Sequence, residues 1–288
     1  MAAIRGRAAR TRVDRVTSEL NPAPSAVAAA FSARVVGAGP PVALVHGSAT
    51  DAEAWAIQRR TLARSCRLLL YTRRADDGIT VGDHAADLAD LIERHGLAPC
   101  TVVGSSFGAV VALELARAWP ARVRGAVLCE PPLPPGPARA FLAARGIAPP
   151  AAGDLDAFLA RFDHVYRERG GPAAAAVFLR AVLGDEAYAR LPRRVRERAA
   201  ALHRQIRADA AALAAYDLDY AALAAVACPV LLVGGDRSPA YFAPALAALE
   251  AALPNVRRVT LTGAGHMMHA DAPRAFDAAV AEFAREHA

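Results

Sequence analysis

From about Ser32 onward, short continuous apolar runs alternate with long alanine- and leucine-rich stretches of helical period. This alternation, more than any single motif, narrows the folds open to the chain. The runs lie at residues 41–45, 68–71, 101–103, 126–129, 230–233 and 256–261. All but the last, which contains Arg257 and Arg258, are continuously apolar or β-branched rather than alternating, the pattern of strands buried on both faces and therefore of a parallel sheet. Helical stretches fall between them at 52–63, 82–95, 107–118, 239–252 and 273–286. Strand–helix alternation of this kind predicts a doubly wound, mostly parallel α/β sheet, with functional groups gathered at the carboxyl ends of the strands.

The alternation breaks after Glu130. Residues 131–137 are proline-rich and are expected to be extended or turning. From about 138 to 225 the pattern is helix after helix, with breaks expected at 148–153, 170–172 and 184–185. A block of this length exceeds a crossover, and it is expected to form a lid over the carboxyl edge of the sheet. The expected organisation is thus an N-terminal extension at 1–31, an α/β core at 32–131 and 226–288, and a helical cap at 132–225.

Gly104-Ser105-Ser106-Phe107-Gly108 follows one strand run and precedes a helical run. In a G-x-S-x-G turn the serine is forced onto a sharp strand-to-helix corner, its hydroxyl raised above the sheet and the helix N-terminus beneath it. A glycine- and serine-rich helix cap would match the pentapeptide alone, but not its placement between strand and helix. His46-Gly47-Ser48 ends the 41–45 run. A glycine there lets the loop fold back, so that the Ser48 and Phe107 backbone N–H groups can serve as oxyanion donors. Gly263-Ala264-Gly265-His266 follows the last strand run, and its glycines allow a tight loop that places an imidazole over the serine. His269 is the alternative base, expected instead to start the next turn.

These segments together resemble the α/β-hydrolase fold of the bacterial capped type, from about Ser32 to the end. The residues that carry the resemblance are VALVHGS, VVGSSFGAVVALELA, VRGAVLCEPP, PVLLVGGD and LTGAGHMMHADAP, in the family's order. The resemblance implies Ser106 as nucleophile, His266 as base, the Ser48 and Phe107 amides as oxyanion donors, and the helical insertion as a cap that shapes the pocket. Two departures stand out. Tyr71-Thr72-Arg73-Arg74 replaces the family's usual Asp-x-Arg-Gly, and the usual acid position, three residues beyond the glycine of the 230–233 run, is Ser238. The acid that orients the imidazole is therefore either Glu130, at the end of the strand after the nucleophile's, or Asp236. Glu130 is preferred because Pro131-Pro132 would hold its backbone extended.

Composition excludes several other chemistries. The chain has no lysine, which removes Schiff-base catalysis and a lysine-dependent phosphate loop. Its net charge of +6 comes from arginines interleaved with acids, as at residues 193–198, so nucleic-acid binding is not expected. No run approaches a membrane span, and no association with a membrane is expected. The cysteines, 66, 100, 129 and 228, are widely spaced, which fits buried thiols in a reducing, cytoplasmic compartment rather than a metal site. The expected activity is hydrolysis of a small or medium apolar ester through an acyl-serine, without metal or organic cofactor. A thioester, lactone or carbon–carbon substrate, or a non-catalytic ligand-binding protein of the same fold, is the alternative. The expected partner is a small-molecule substrate, and the sequence carries no statement of oligomeric state.

Overall fold

The computed structural model describes residues 32–151 and 155–288. The expected N-terminal extension at 1–31 lies outside the described residues, as does part of the expected break at 148–153. The sheet has seven strands: β1 (Ala33–Val36), β2 (Pro41–Val45), β3 (Arg67–Tyr71), β4 (Cys100–Ser105), β5 (Val123–Cys129), β6 (Val230–Gly235) and β7 (Val256–Leu261). Their order is β1-β3-β2-β4-β5-β6-β7. All neighbours run parallel except β1, which lies antiparallel on β3, with Ala33 opposite Tyr71. The doubly wound, mostly parallel sheet is as the sequence predicts. β1 is the strand that sequence patterning passes over, because a four-residue edge strand with half-buried side chains presents no continuous apolar run.

Alternate residues of each central strand enter separate cores. Ala43, Val45, Leu69, Tyr71, Val102 and Leu128 pack on one face. Val42, Leu44, Leu68, Leu70, Val103 and Val127 pack on the other. Helices Val81–Arg94, Phe107–Ala118 and Ala243–Ala252 cover the first face, and helix Pro273–Glu286, through Phe276 and Phe283, covers the second. Burial of each such leucine or phenylalanine contributes about 1.5–3 kcal/mol relative to exposure. Strand order reverses between β2 and β4, because β2 is followed by β3 on one side while β4 through β7 extend on the other. The loops leaving β2 and β4 therefore diverge, and the crevice between them is where an open α/β sheet places its ligand.

Three local expectations are corrected. Residues 52–63 are not one helix but two 3-10 turns, Ala52–Trp55 and Leu62–Arg64, flanking a single α-turn at Gln58–Thr61. Trp55, Gln58 and Leu62 are still buried on one side, so the period was real while the hydrogen bonding is tighter. The segment 131–137 is extended or turning only to Pro134, with the Leu133 N–H donating to the Pro131 carbonyl at 2.9 Å. Helix Pro135–Ala143 starts within it, proline being tolerated in a first turn where its missing N–H costs nothing. Helix 239–252 likewise starts later, at Ala243, after a 3-10 turn at Ala240–Phe242.

Between β5 and β6 every regular element among the described residues is helical, from Pro135–Ala143 through Leu155–Arg169, Gly171–Leu183 and Arg193–Ala201 to His203–Ala214. Phe162, Ala174, Leu179, Ala199 and Ile206 form a core of this block's own, joined by Ala49 from the loop after β2.

Candidate active site

Ser106 stands at the corner between β4 and helix Phe107–Ala118 with φ +55° and ψ −124°. A non-glycine residue held there stores roughly 1–3 kcal/mol of backbone strain, which the surroundings must over-determine. The surroundings do so. The Ser106 N–H donates to the Cys129 carbonyl at 2.8 Å. A Cβ on Gly104 would lie 2.1 Å from the Gly108 carbonyl oxygen, and one on Gly108 would lie 2.2 Å from that of Val45. Both glycines are steric requirements of the corner. The helix behind Ser106 is buried from Phe107 to Ala116, so its N-terminal dipole acts in a dry environment.

His266, in the loop after β7, directs Nδ1 at Glu130 Oε2, 2.7 Å away, with both side chains buried. An ionised carboxylate can only accept, so Nδ1 carries the proton and Nε2 keeps its lone pair. The other carboxylate oxygen, Oε1, accepts from the Gly235 N–H at 2.8 Å. Glu130 itself has φ +45°, the second strained non-glycine residue of the site, and its N–H donates to the Val233 carbonyl at 3.2 Å. The ring of Phe242 stacks flat on His266, centroids 4.1 Å apart and 8° from parallel. Asp236 is placed elsewhere: it is exposed, and its Oδ1 accepts from the Gly263 N–H at 2.8 Å, pinning the loop that carries His266. Nor does it cap the following helix. Of the two candidate acids, the structure brings Glu130 and not Asp236 to the imidazole.

The loop after β2 is held from beneath. His46 is wholly buried; its Nδ1 lies 2.8 Å from the Gly47 carbonyl oxygen, and its Nε2 accepts from the Arg73 N–H at 2.9 Å. Burial first, and the Arg73 charge second, hold its pKa well below the usual histidine value, so the ring stays neutral and structural. The Arg73 guanidinium donates to the His46 and Gly47 carbonyls and, through both terminal nitrogens, to Asp209 at 2.8 and 2.9 Å. Asp209 belongs to helix His203–Ala214 of the inserted block. Its Oδ2 also accepts from the Ser48 hydroxyl at 2.7 Å. One carboxylate thus ties the block to the loop that carries Ser48. Nothing in the strand–helix pattern points to this pair, although a lone acid in the alanine-rich stretch Ala208-Asp209-Ala210 was the available signal.

Removing Asp209 would leave a fully buried guanidinium unpaired. Asp209→Ala is expected to destabilise the fold by about 3–5 kcal/mol, the usual cost of breaking a buried ion pair from one side. Replacing both partners by apolar residues, Arg73→Met with Asp209→Leu, is expected to recover most of that loss. Thermal melts of the three variants check it, and a single variant as stable as the parent would be the contrary result.

A cavity of about 320 Å³ opens at Ser106 and Ser48. Of the aromatic residues of the inserted block, Phe158, Phe162 and Phe178 line it. Phe141 packs instead on Tyr220, and Tyr166 pairs with His203. A second, smaller cavity also reaches Ser106 and Ser48, and His266 lines this one. His269, in the turn Met268–Asp271, lines it too, and neither of its ring nitrogens has a hydrogen-bond partner among the described residues. No carboxylate among the described residues bonds His269, which thus lacks the orienting acid that His266 has. The described residues contain no cluster of histidine, cysteine, aspartate or glutamate able to hold a metal ion, and no helix among them is long and apolar enough to cross a membrane.

Comparison with known proteins follows the same outline. The sequence profile of the alpha/beta hydrolase family matches residues 42–279. A 2-hydroxy-6-oxo-2,4-heptadienoate hydrolase of Pseudomonas putida is 38% identical over 105 residues, a match that spans 32% of this chain and 38% of that relative. Among solved structures, an alpha/beta hydrolase from Sphaerobacter thermophilus superposes with TM-score 0.71 at 24% identity, covering 88% of this chain and 95% of that one. A thermophilic esterase from Thermogutta terrifontis gives TM-score 0.68 at 23% identity over 90% and 94%. The enol-lactonase of Burkholderia xenovorans gives 0.69 at 21% over 88% and 95%. At these identities the superpositions speak to the fold.

Proposed function

This chain belongs to the alpha/beta hydrolase family, and from that premise we propose that it is a serine hydrolase that cleaves a neutral ester through an acyl-serine. The observation that carries the reading is Ser106, strained on its corner and sharing a cavity with His266, whose far nitrogen is held by Glu130. His266 Nε2 takes the Ser106 proton as Oγ attacks the substrate carbonyl. The developing oxyanion lies at the Ser48 and Phe107 N–H groups, donors fixed by the Arg73–Asp209 anchor and by the helix start. His266 then returns the proton to the leaving oxygen. Water repeats the sequence to release the acid.

The relative from Pseudomonas putida is named for a substrate that carries a carboxylate, which makes carbon–carbon hydrolysis the second reading. The larger cavity favours the ester. The described residues that line it include no charged side chain, and the buried guanidinium beneath the loop after β2, Arg73, is paired with Asp209. A substrate carboxylate buried there would lack a partner. The free cysteines fit a reducing compartment and support a cytoplasmic location.

The test is covalent. A fluorophosphonate probe is expected to label the folded protein at Ser106, with labelling lost in Ser106→Ala and blocked by prior incubation with substrate ester. Folded protein that resists the probe would remove the hydrolase mechanism and leave the ligand-binding reading.

A further inference from the structure

The two cavities meet at the serine and differ in size and chemistry. Ser48, Ser106, Phe178 and Val182 line both. The larger, about 320 Å³, is walled by phenylalanines, alanines and prolines, with Tyr241 and Phe242 on the core side. The smaller holds about 50 Å³, and only this one is lined by His266. The larger therefore has roughly six times the room of the smaller.

The general acid decides which part of the substrate enters which cavity. The proton that His266 takes from Ser106 must go to the leaving oxygen, so that oxygen has to lie within hydrogen-bond reach of the imidazole. The leaving group therefore occupies the cavity that His266 lines, and the acyl part extends into the apolar one. The smaller cavity also contains a polar group awaiting a partner. His269 is 4% exposed, its ring 4.8 Å from that of Trp55 and 6.1 Å from that of Phe276, and both its nitrogens are unpaired among the described residues. Burial lowers its pKa to about 4, so at neutral pH it presents one N–H donor and one lone pair. A small alcohol can pair with one of these two groups, whereas an aryl or long alkyl group neither fits nor bonds.

We infer that the substrate is a neutral ester with its apolar acyl part in the larger cavity and a leaving alcohol the size of methanol or ethanol in the smaller, seated beside His269. The inference rests on the hydrolase reading above. In the first half-reaction the bond from Ser106 Oγ to the carbonyl carbon forms, the bond from that carbon to the alkoxy oxygen breaks, and the Ser106 proton reaches the departing alkoxide through His266. In the second, water oxygen bonds the acyl carbon, the bond to Oγ breaks, and a water proton returns to Ser106. The incoming water uses the position that the alcohol has left, beside the same imidazoles.

Pairs of isomeric esters with the linkage reversed test it, because the atoms are the same and only the placement differs. Methyl phenylacetate is expected to exceed benzyl acetate in kcat/KM by at least about tenfold, and methyl hexanoate to exceed pentyl acetate likewise, the discrimination a few misplaced methylenes produce. Leu183 lines the smaller cavity and not the larger. Leu183→Ala is expected to narrow both ratios by roughly fivefold or more, chiefly by raising the rate on the bulkier alcohols. Equal rates, or a preference for benzyl and pentyl acetate, in a protein that still labels at Ser106 would overturn the inference and leave the hydrolase reading standing. Ratios unmoved in a folded Leu183→Ala protein would overturn the seat of the alcohol. Absence of labelling and of turnover on all four esters would overturn the reading itself.

Discussion

Ser106→Ala is expected to lower kcat on a cleavable ester by roughly 10⁶-fold, to the residual rate that oxyanion donors and binding supply alone. The size of the effect follows from the site's construction. The hydroxyl is the group that forms the covalent bond, and the rest of the pocket is unaltered by its loss. Alanine also accepts the φ of +55° no better than serine, so the strain persists and the fold pays no new penalty. Kd for a non-hydrolysable substrate analogue is expected to stay within a few-fold, which separates loss of chemistry from loss of the pocket. Turnover surviving at more than about a hundredth of the parent rate would place the nucleophile elsewhere.

The second large effect is expected at Glu130. Its two oxygens have different partners, Gly235 N–H on Oε1 and His266 Nδ1 on Oε2. In Glu130→Gln the backbone donor fixes the orientation of the new amide. Its oxygen takes the place facing Gly235, and its NH₂ faces the imidazole. Nδ1 must then accept, the proton moves to Nε2, and the ring can no longer take one from Ser106. An imidazole held in this tautomer costs about 10⁴-fold in kcat. Asp236→Asn, which still offers an oxygen to the Gly263 N–H, is expected to stay within a few-fold of the parent. Steady-state kinetics of the two variants against one ester distinguish them. Full turnover in Glu130→Gln with loss in Asp236→Asn would reverse the assignment.

Both predictions depend on residues that were unequally visible in the sequence. The Ser106 corner was legible because its causes are local: a strand run, two glycines that only steric necessity explains, and a helix. His266 was legible from the glycine-flanked loop after the last strand and from its order in the chain. The edge strand β1 and the broken turns at 52–64 were not, because their hydrogen bonds depend on β3 and on the packing of Trp55 rather than on the period of their own residues. Asp209 and Phe242 were illegible as site residues for a related reason, and His269, which the sequence offered as an alternative base, was illegible as a cavity-lining group. Each acquires its meaning from a partner far along the chain: Asp209 from Arg73, Phe242 from His266, and His269 from the cavity above it.

By itself, then, the sequence determined the doubly wound sheet, the helical block between the strands now numbered β5 and β6, and the serine and histidine, since each is written in nearest-neighbour pattern. Which carboxylate reaches the histidine was a matter for the tertiary structure. Glu130 and Asp236 end adjacent parallel strands, and the sequence favours Glu130 only through an extended backbone that the structure does not have, its φ being +45°. They differ in that Glu130 takes a positive φ at the end of β5, which turns its side chain to Gly235 and His266, whereas Asp236, directly after β6, closes on Gly263. Backbone conformation at a single residue made that choice, and no local sequence pattern encodes it.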